Sequence, residues 1–360
     1  MTIRGSFDRF TYDGTYPLPG EPEGAPTVVA NNSVVGTRWS VGSGLSRSFG
    51  GRHTLTAGVE FIDNVHQDQA ASYVDPPFVL LDSRRSSMQH AVYAQGESRL
   101  ARWLIINAGL RYDGYEKFSR VTPRVALIAL PSSTQSVKYL YGSAFRSPNA
   151  YELNSEFFGT GVNDLRPESI DTHELVWESY ANDWLRTSVS TYLYSARQLI
   201  TFAPDETAFL GLTYVNHGEV RAKGLELEAQ MRIRGETRAL VSYALQRAVD
   251  QASLASLPNS PRHIVKARIS FPAPAGSVVS VDALYLSSRG TLAGMTVAAA
   301  ATANVTLVLP LGRSWELYSS VRNIFDTRYS DPVSTQHRQD AISQNGRTAR
   351  IGIRLRLWKN

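Results

Sequence analysis

The residue types that most often carry catalysis or bind metal ions are thinly spread through this sequence. A helical metal site needs two histidines four residues apart with a neighbouring carboxylate, and no two of the seven histidines have this spacing. The histidines are His53, His66, His90, His173, His217, His263 and His337. Cysteine is absent, which excludes thiolate ligands and a cysteine nucleophile. The glycine patterns of a nucleophile elbow, a P-loop and a dinucleotide-binding turn are also missing. We therefore expect no enzyme, no resident metal and no cofactor.

One short segment concentrates polar residues that could bind a ligand rather than transform it. These candidates are Arg146, Asn149, Tyr151 and Glu152. They surround Pro148, which restricts the residue before it to extended or turn backbone. Arginine and carboxylate groups can pair with one another, and they can also hold a polar ligand. A structural network that includes Glu168 and Glu174 is the simpler interpretation, and direct ligand contact is the alternative.

A fifth candidate lies in a polar segment further along the chain. His337 stands between Gln336 and Arg338, and Asp331 is close in sequence. A histidine in such a segment could contact a metal chelate. A solvated loop without a ligand is the commoner situation, so both interpretations stay open.

The basic balance of the chain comes from charged residues that are dispersed rather than clustered. The formal net charge is +5, and no run of five like charges occurs. A polybasic surface for nucleic acid is therefore not expected. Charged residues instead stand singly at alternate positions; Glu226, Glu228, Arg232 and Arg354 are examples. We expect these four to face a polar interior.

Alternation of apolar and polar residues is the dominant pattern. In residues 225–234 every odd position is apolar and every even position is polar, so a strand there would have one oily and one wet face. Helical spacing fits none of these segments. Most exceed the usual length of soluble strands and could cross a membrane at a tilt. About sixteen such segments are predicted: 2–12, 34–49, 53–65, 87–98, 103–115, 122–131, 136–145, 171–181, 184–197, 218–233, 237–249, 262–271, 277–288, 301–310, 314–325 and 347–358.

The connectors between these segments alternate in length. The short connectors are 50–52, 99–102, 132–135, 182–183, 235–236, 272–276 and 311–313. The long connectors are 13–33, 66–86, 146–170, 198–217, 250–261, 289–300 and 326–346, and 116–121 is of modest length. Short turns on one rim and long loops on the other are typical of outer-membrane barrels. Trp103, Trp184 and Trp315 closely follow short turns and Trp358 lies near the chain end, as in an interfacial aromatic girdle.

These patterns predict an all-β fold, an antiparallel transmembrane β-barrel of about sixteen strands that occupies residues 1–360 as one domain. No apolar run approaches the ~18 residues that a spanning helix needs. Residues 1–12 already read as strand and lack the apolar core of a signal peptide. We therefore expect a barrel that is truncated at its N-terminus.

Four motifs resemble elements of TonB-dependent outer-membrane receptors, and they occur in the order found in that family. They are FRSPNAYEL at 145–153, LRPE at 165–168 with Glu174, VRAKGLELE at 220–228, and NIFDTRY at 323–329. The last resembles the family signature N-L-F-D-x-x-Y near the C-terminus. Each motif is short, but their common order makes the resemblance specific. Trp358 is followed by Lys359 and Asn360, whereas the family usually ends on an aromatic residue.

The resemblance implies the C-terminal part of a 22-stranded barrel, without the plug domain, the TonB-contacting segment and the first strands. It implies a monomer in the outer membrane of a Gram-negative-type bacterium, where lipid surrounds the barrel. Its ligand would be a scarce compound that is large for a small molecule, or a metal chelate, such as a ferric siderophore or cobalamin. The plug domain and the TonB complex would be partners in a full-length receptor, and no nucleic acid is implied. Loops 146–170, 198–217 and 326–346 would contact the ligand, and Glu226, Glu228, Arg232 and Arg354 would face the plug.

Three alternatives stay open at this point. A passive sixteen-stranded porin is compatible with an even strand number and a polar interior. A soluble β-protein would be extracted without detergent. An outer-membrane hydrolase could assemble a Ser/His/acid set at its rim from residues distant in sequence.

Overall fold

The protein is built almost entirely from β-strands. The computed structural model describes residues 1–20, 25–154, 165–204, 212–233, 236–312, 314–334 and 337–355. In these residues the helical elements are α1 (Ala150–Asn154) and a 3-10 turn at Pro274–Gly276, and no helix there is long and apolar enough to cross a membrane. The strands are β1 (Thr2–Gly20), β2 (Ala25–Phe49), β3 (His53–Tyr73), β4 (Phe78–Ser83), β5 (Ser87–Ala101), β6 (Leu104–Tyr115), β7 (Ser119–Ser132), β8 (Gln135–Arg146), β9 (Glu168–Asn182), β10 (Leu185–Arg197), β11 (Ile200–Pro204), β12 (Leu212–Asn216), β13 (Glu219–Arg232), β14 (Arg238–Asp250), β15 (His263–Ala273), β16 (Ser277–Leu286), β17 (Arg289–Gly290), β18 (Thr296–Val297), β19 (Ala300–Leu311), β20 (Trp315–Arg322), β21 (Ser330–Pro332), β22 (Ala341–Ser343) and β23 (Thr348–Leu355).

The strands belong to one large sheet and three small hairpins. Within the described residues the sheet has 17 strands, and β11–β12, β17–β18 and β21–β22 pair separately. The chain divides into two compact units. Unit 1 comprises Met1–Leu127, Leu140–Thr172 and Ser195–Glu219, and unit 2 comprises Ile128–Tyr139, His173–Tyr194 and Val220–Asn360.

The sheet of unit 1 has one apolar and one polar face. β1, β2, β3, β5 and β6 pair in that order, and all these pairings are antiparallel. One row across the five strands runs Ile3–Ser43–Val59–Val92–Tyr112, and the next runs Arg4–Gly42–Glu60–Ala91–Asp113. Successive residues of a strand point to opposite sides, so the two rows lie on opposite faces.

Unit 2 shows the same division across seven strands. β13, β14, β15, β16, β19, β20 and β23 pair in that order. The apolar row is Met231–Ala239–Ile269–Val281–Val305–Val321–Ala349, and the adjacent polar row is Arg232–Arg238–Ser270–Ser280–Thr306–Ser320–Arg350. Large apolar side chains on this face are exposed, and Ile351 is 78% exposed, whereas soluble monomers rarely expose extended apolar patches. Such a face is suited to contact with lipid.

The sixteen predicted segments all coincide with strands of the large sheet, and β4 is the additional strand. The prediction of long loops at 13–33 and 66–86 was wrong. β1 continues to Gly20, β2 begins at Ala25, β3 continues to Tyr73, and β4 occupies part of the second range. The sequence shows no regular alternation there, since polar residues follow one another at His66, Gln67, Asp68 and Gln69, while the backbone ladder continues regardless of side chains. The hairpin end at 21–24 lies outside the described residues.

Three other long connectors contain hairpins that the sequence pattern did not reveal. The connector 198–217 contains β11 and β12, 289–300 contains β17 and β18, and 326–346 contains β21 and β22. These strands are five residues long or less, so period-two alternation is too brief to detect. The described parts of these connectors are therefore structured elements rather than open loops.

Trp103, Trp184 and Trp315 lie close to short turns, as predicted. Trp103 and Trp184 are in the turns themselves, and Trp315 is the first residue of β20. Each has about half of its surface exposed. Amphipathic indole rings at strand ends are typical of a membrane interface. Trp358 lies outside the described residues.

Candidate functional site

A reciprocal cap shapes the first candidate segment. The backbone N–H of Glu152 donates to Asn149 Oδ1 at 2.8 Å, and the backbone N–H of Asn149 donates to Glu152 Oε2 at 2.8 Å. This arrangement is a capping box at the start of α1. A helix of five residues cannot form by propensity alone, so the cap and its neighbours must hold it.

Arg146, the last residue of β8, ties this segment to the start of β9. Its Nε and Nη2 donate to both carboxylate oxygens of Glu168 at 2.7 and 2.8 Å, and its Nη1 donates to Glu152 Oε2 at 2.8 Å. The two-fold contact matches the planar fork of the guanidinium group. The predicted network is therefore present for Arg146, Glu152 and Glu168.

The network stabilises the charged forms of Arg146 and Glu168. The hydrogen bonds from Arg146 lower the pKa of Glu168, and the backbone N–H of Ile200 adds to this effect at 2.8 Å. The same contacts raise the pKa of Arg146. Glu174 belongs to unit 2, where its carboxylate accepts a hydrogen bond from the Tyr194 hydroxyl at 2.8 Å.

The β11–β12 hairpin packs against the same segment. The Tyr214 ring stacks on Phe202 with centroids 4.4 Å apart and meets Tyr151 edge-on at 6.4 Å. Burial raises the pKa of Tyr214 to about 12. Asn216 binds the backbone of Arg166 in both directions, because its Oδ1 accepts at 2.6 Å and its Nδ2 donates at 2.8 Å. Tyr151 thus has a packing role between the two connectors.

A cavity of about 450 Å³ lies beside α1 in unit 1. Asn149, Ala150 and Leu153 of the candidate segment form part of its lining. Arg85 and Lys117 contribute two positive charges from two other connectors, and Glu116 contributes one negative charge. The cavity lies at the long-connector end of the sheet, because β5 begins and β6 ends there.

Aromatic and amide side chains complete the lining. Tyr115 and Phe118 stack with ring centroids 4.5 Å apart. Ser87 accepts a hydrogen bond from Asn64 Nδ2 at 3.0 Å and donates one to Gln67 Oε1 at 2.9 Å, which fixes both amides. Cations, amides and a flat aromatic surface can together bind a polar or anionic organic molecule, and the volume is in the usual range of ligand pockets. Within the described residues, no cluster of three or more histidine or carboxylate side chains could hold a metal ion.

The four charged residues predicted to face a polar interior share one face of unit 2. Glu226, Glu228, Arg232 and Arg354 all occupy even positions, and the register places these on the face of the polar row. Glu228 accepts a hydrogen bond from Gln230 at 2.8 Å, and Arg354 pairs with Glu316 at 2.8 Å. Contact with a plug domain stays a prediction.

His337 is exposed in the last long connector. Its backbone N–H donates to the carbonyl of Ser334 at 3.2 Å, and within the described residues its ring joins no ligand-like cluster. The connector is held by buried Arg289, which donates to Asp331 at 2.6 Å and to Asn259 of another connector at 3.0 Å. Ligand contact by His337 stays a prediction.

The NIFDTRY motif is a turn that ends β20. Asn323 and Asp326 both have positive φ angles, of 48° and 54°. The Asn323 side chain accepts from the backbone of Thr327 and donates to it, each at 2.9 Å. Asp326 accepts the backbone N–H of Arg347 at 2.7 Å and so fixes the entry to β23. Both short polar side chains therefore bind backbone groups at the end of the strand, as such residues commonly do in turns.

The VRAKGLELE motif requires a glycine for close packing. A Cβ at Gly224 would stand 2.5 Å from the Tyr192 hydroxyl, so the tyrosine ring covers the strand only when this residue has no side chain. The Thr191 hydroxyl donates to the Gly224 carbonyl at 3.0 Å. The motif is therefore structural at this position.

Arg85, Lys117 and Phe118 were not predicted as site residues. They lie in connectors, where the sequence has no alternation to reveal them. The pairing of β3, β5 and β6 brings these connectors to the cavity that Asn149 also lines. Lys117 is one of very few lysines in an arginine-rich chain, and this was the one available signal.

Comparison with known proteins agrees with this architecture. The family model for the TonB dependent receptor-like β-barrel matches residues 2–324. The vitamin B12 transporter BtuB of Vibrio cholerae is 28% identical over 178 residues, which are 49% of this chain and 26% of that protein. The copper transporter OprC has a TM-score of 0.73 at 15% identity over 98% of this chain and 62% of its own. A mutant of the ferric enterobactin receptor PfeA of Pseudomonas aeruginosa has a TM-score of 0.75 at 15% identity over 98% of this chain and 59% of its own.

These relatives extend well beyond the matched part, since the chain covers 26% of BtuB and 62% of OprC. The solved structures share the fold, but their sequence identity to this chain is too low to assign a ligand to it. The family match, by contrast, covers most of the sheet and three of the four sequence motifs in full, and reaches into the fourth. The chain therefore belongs to the family of TonB-dependent receptor β-barrels, which are outer-membrane proteins of Gram-negative bacteria.

Proposed function

We propose that this chain forms the barrel portion of a receptor for TonB-dependent uptake of a scarce, large ligand such as a ferric siderophore or cobalamin. The observation that carries this proposal is the cavity beside α1, with Arg85, Lys117 and a stacked aromatic pair around it. Its position at the long-connector end is where an incoming ligand would arrive.

The loop-base network supports the proposal by preorganising this cavity. Asn149 lines the cavity, while Glu152 and Arg146 hold the backbone that carries Asn149. A preorganised wall loses less conformational entropy when a ligand binds. In this proposal Asn149 contacts the ligand. Arg146, Tyr151 and Glu152 position Asn149, and His337 adds a second contact to the ligand from its own connector.

The partners follow from the family rather than from the geometry. We propose that a plug domain meets the polar face that carries Glu226, Glu228, Arg232 and Arg354, and that the TonB complex acts through that plug. Sequence identity to BtuB and to the siderophore receptors is too low to assign their ligands to this chain, so those ligands serve as probes in binding experiments.

Ligand binding tests the proposal directly. The purified chain in detergent is titrated with cyanocobalamin, ferric citrate and ferric enterobactin, and binding is followed by tryptophan fluorescence. We expect saturable binding of one probe, and a loss of about tenfold or more for Lys117→Glu because a charge-assisted contact becomes repulsive. Lys223→Glu, on a strand outside the cavity, is the matched control and is expected to bind like the wild type.

A passive pore predicts a different result. Stable and uniform single-channel conductance in planar bilayers, with no saturable binding of any probe, would contradict the receptor proposal. Saturable binding that Lys117→Glu leaves unchanged would place the ligand elsewhere and would contradict the role of this cavity.

A further inference from the structure

The apolar face of unit 2 ends in a pair of cations where β13 and β14 approach the long connectors. All odd positions of residues 225–233 are apolar, and this length matches the ~9–11 residues that a tilted strand needs to cross a membrane. The next position of β13 on the same face is Lys223, and Arg247 of β14 stands directly opposite it. The two cations therefore lie at the first level beyond the apolar rows, at the end where long extracellular loops are found.

Aromatic side chains place the membrane interface at the same end of this face. One row of the face runs Leu227–Tyr243–Val265–Tyr285–Ala301 and so brings two tyrosines to one level. The Tyr243 hydroxyl lies 2.9 Å from His263 Nδ1, and the two rings stack. Tyrosine is enriched where hydrocarbon meets the polar head groups of a membrane. Lys223 follows two positions further out on this face of β13, which is the level of the head groups.

Lys223 and Arg247 have no counter-charge from the protein. Both residues are exposed, and in the part of the chain that the structure describes neither forms an ion pair. Like charges that face one another across two strands repel. Arg221 and Glu219 follow on the same face of β13, and each has contacts of its own. An anion that contacts both Lys223 and Arg247 relieves their repulsion.

We propose that Lys223 and Arg247 bind the phosphate groups of a lipid in the outer leaflet, whose acyl chains lie along the apolar rows. Lysine and arginine side chains donate charge-assisted hydrogen bonds to phosphate oxygens, and their aliphatic stems can lie on apolar surface. A free phosphate would gain nothing from the adjacent apolar rows, whereas a phosphorylated lipid matches both parts of the face. The site is independent of the cavity beside α1, which neither residue lines.

Titration of the purified full chain in detergent with diphosphoryl lipid A tests the site. Native mass spectrometry counts the bound lipid at each concentration, and the same lipid without its phosphate groups is the comparison. We expect saturable binding of the phosphorylated form only. Binding should weaken about tenfold for each of Lys223→Gln and Arg247→Gln, because each removes a charge-assisted contact. Lys223→Arg keeps the charge and is expected to bind like the wild type.

Arg47→Gln is the matched control. Arg47 is also an exposed cation on an apolar face, but it lies in unit 1 near the short-turn end of β2. Its replacement is expected to leave binding of lipid A unchanged. The unfolding temperature of every variant is measured in parallel, and we expect no change because both cations are exposed.

Three results would overturn the proposal. Equal binding of the lipid without phosphate groups would show that hydrocarbon contact alone is sufficient. Equally tight binding of inorganic tripolyphosphate, with the same loss in Lys223→Gln and Arg247→Gln, would assign the site to a free anion rather than a lipid. Unchanged binding in these two variants, or an equal loss in Arg47→Gln, would place the lipid elsewhere.

Discussion

The side chains around Arg146 show how the predicted site residues divide their roles. The guanidinium group uses three of its five N–H donors on two carboxylates, so its main contacts are structural. Asn149 uses its Oδ1 and backbone N–H for the helix cap, yet its side chain lines the cavity. At the residue scale, the arginine and its carboxylates position the site, and the cavity lining is the part available for binding.

Replacement of Arg146 tests this positioning role. Arg146→Ala leaves Glu152 and Glu168 without their cation, and we expect the free energy of unfolding to fall by about 1–2 kcal/mol, a value reduced because the arginine is partly exposed. Denaturant unfolding in detergent measures the change. Arg354→Ala removes an arginine with a single carboxylate partner and is expected to cost less than about 1 kcal/mol. Equal losses in the two variants would contradict the special role of the network.

The lowered pKa of Glu168 predicts acid sensitivity at the same place. Folding lowers the pKa of the Glu168 carboxylate below the value of about 4.3 that it has in the unfolded chain, so at a pH above 4.3 the charged carboxylate stabilises the folded state. This stabilisation is lost as the pH falls through the lower pKa of the folded state. We therefore expect the protection of the amides of residues 147–154 against hydrogen exchange, relative to their intrinsic rates at the same pH, to fall below about pH 4. Glu168→Gln should abolish this pH dependence. An unchanged acid response in that variant would show that another group is responsible.

At the scale of strands and connectors, alternation was visible only where one face is apolar. Residues 225–234 reveal β13 because lipid-facing and water-facing positions differ in polarity. Residues 13–17 and 66–73 continue their strands without a regular alternation of apolar and polar residues, so only the backbone ladder reveals them. The motif segment 145–153 predicted the network, but the cavity depended on Arg85 and Lys117, which come from connectors distant in sequence. Long-range pairing of this kind has no local signal.

The connectors of unit 2 are joined by a buried arginine. Arg289 reaches Asp331 and Asn259, and Thr291 donates to Asp340 close by. Arg289→Lys removes the planar fork that contacts two connectors at once, and lysine cannot reproduce it. We expect proteolytic cleavage within 250–261 and 326–346 to become at least several-fold faster, as measured by limited proteolysis of the detergent-solubilised chain.

Arg328→Lys is the matched control for this prediction, since Arg328 lies in the same connector and is separate from the Arg289 contacts. Its cleavage rate should match the wild type. If the protease cleaves Arg289→Lys no faster than Arg328→Lys, then the β17–β18 and β21–β22 hairpins hold the connectors without Arg289.

At the scale of the whole molecule, the central feature is a sheet with two chemically distinct faces in each unit. The rows through Ile269 and Ser270 differ by one residue and carry opposite chemistry across seven strands. This division explains how a chain with many exposed apolar residues can have a net charge of +5 and so many polar side chains. The family assignment and the face division together place the apolar rows against lipid and the polar rows against water or a partner domain.

Site-specific labelling tests this claim most directly, because the chain has no cysteine of its own. Single substitutions Ile269→Cys, Ser270→Cys, Val281→Cys and Ser280→Cys are reconstituted in vesicles and tagged with a fluorophore. We predict that brominated lipid quenches the labels at 269 and 281, and that a water-soluble quencher reaches those at 270 and 280. Labels that do not alternate between the two quenchers, or that alternate in the opposite sense, would contradict the account.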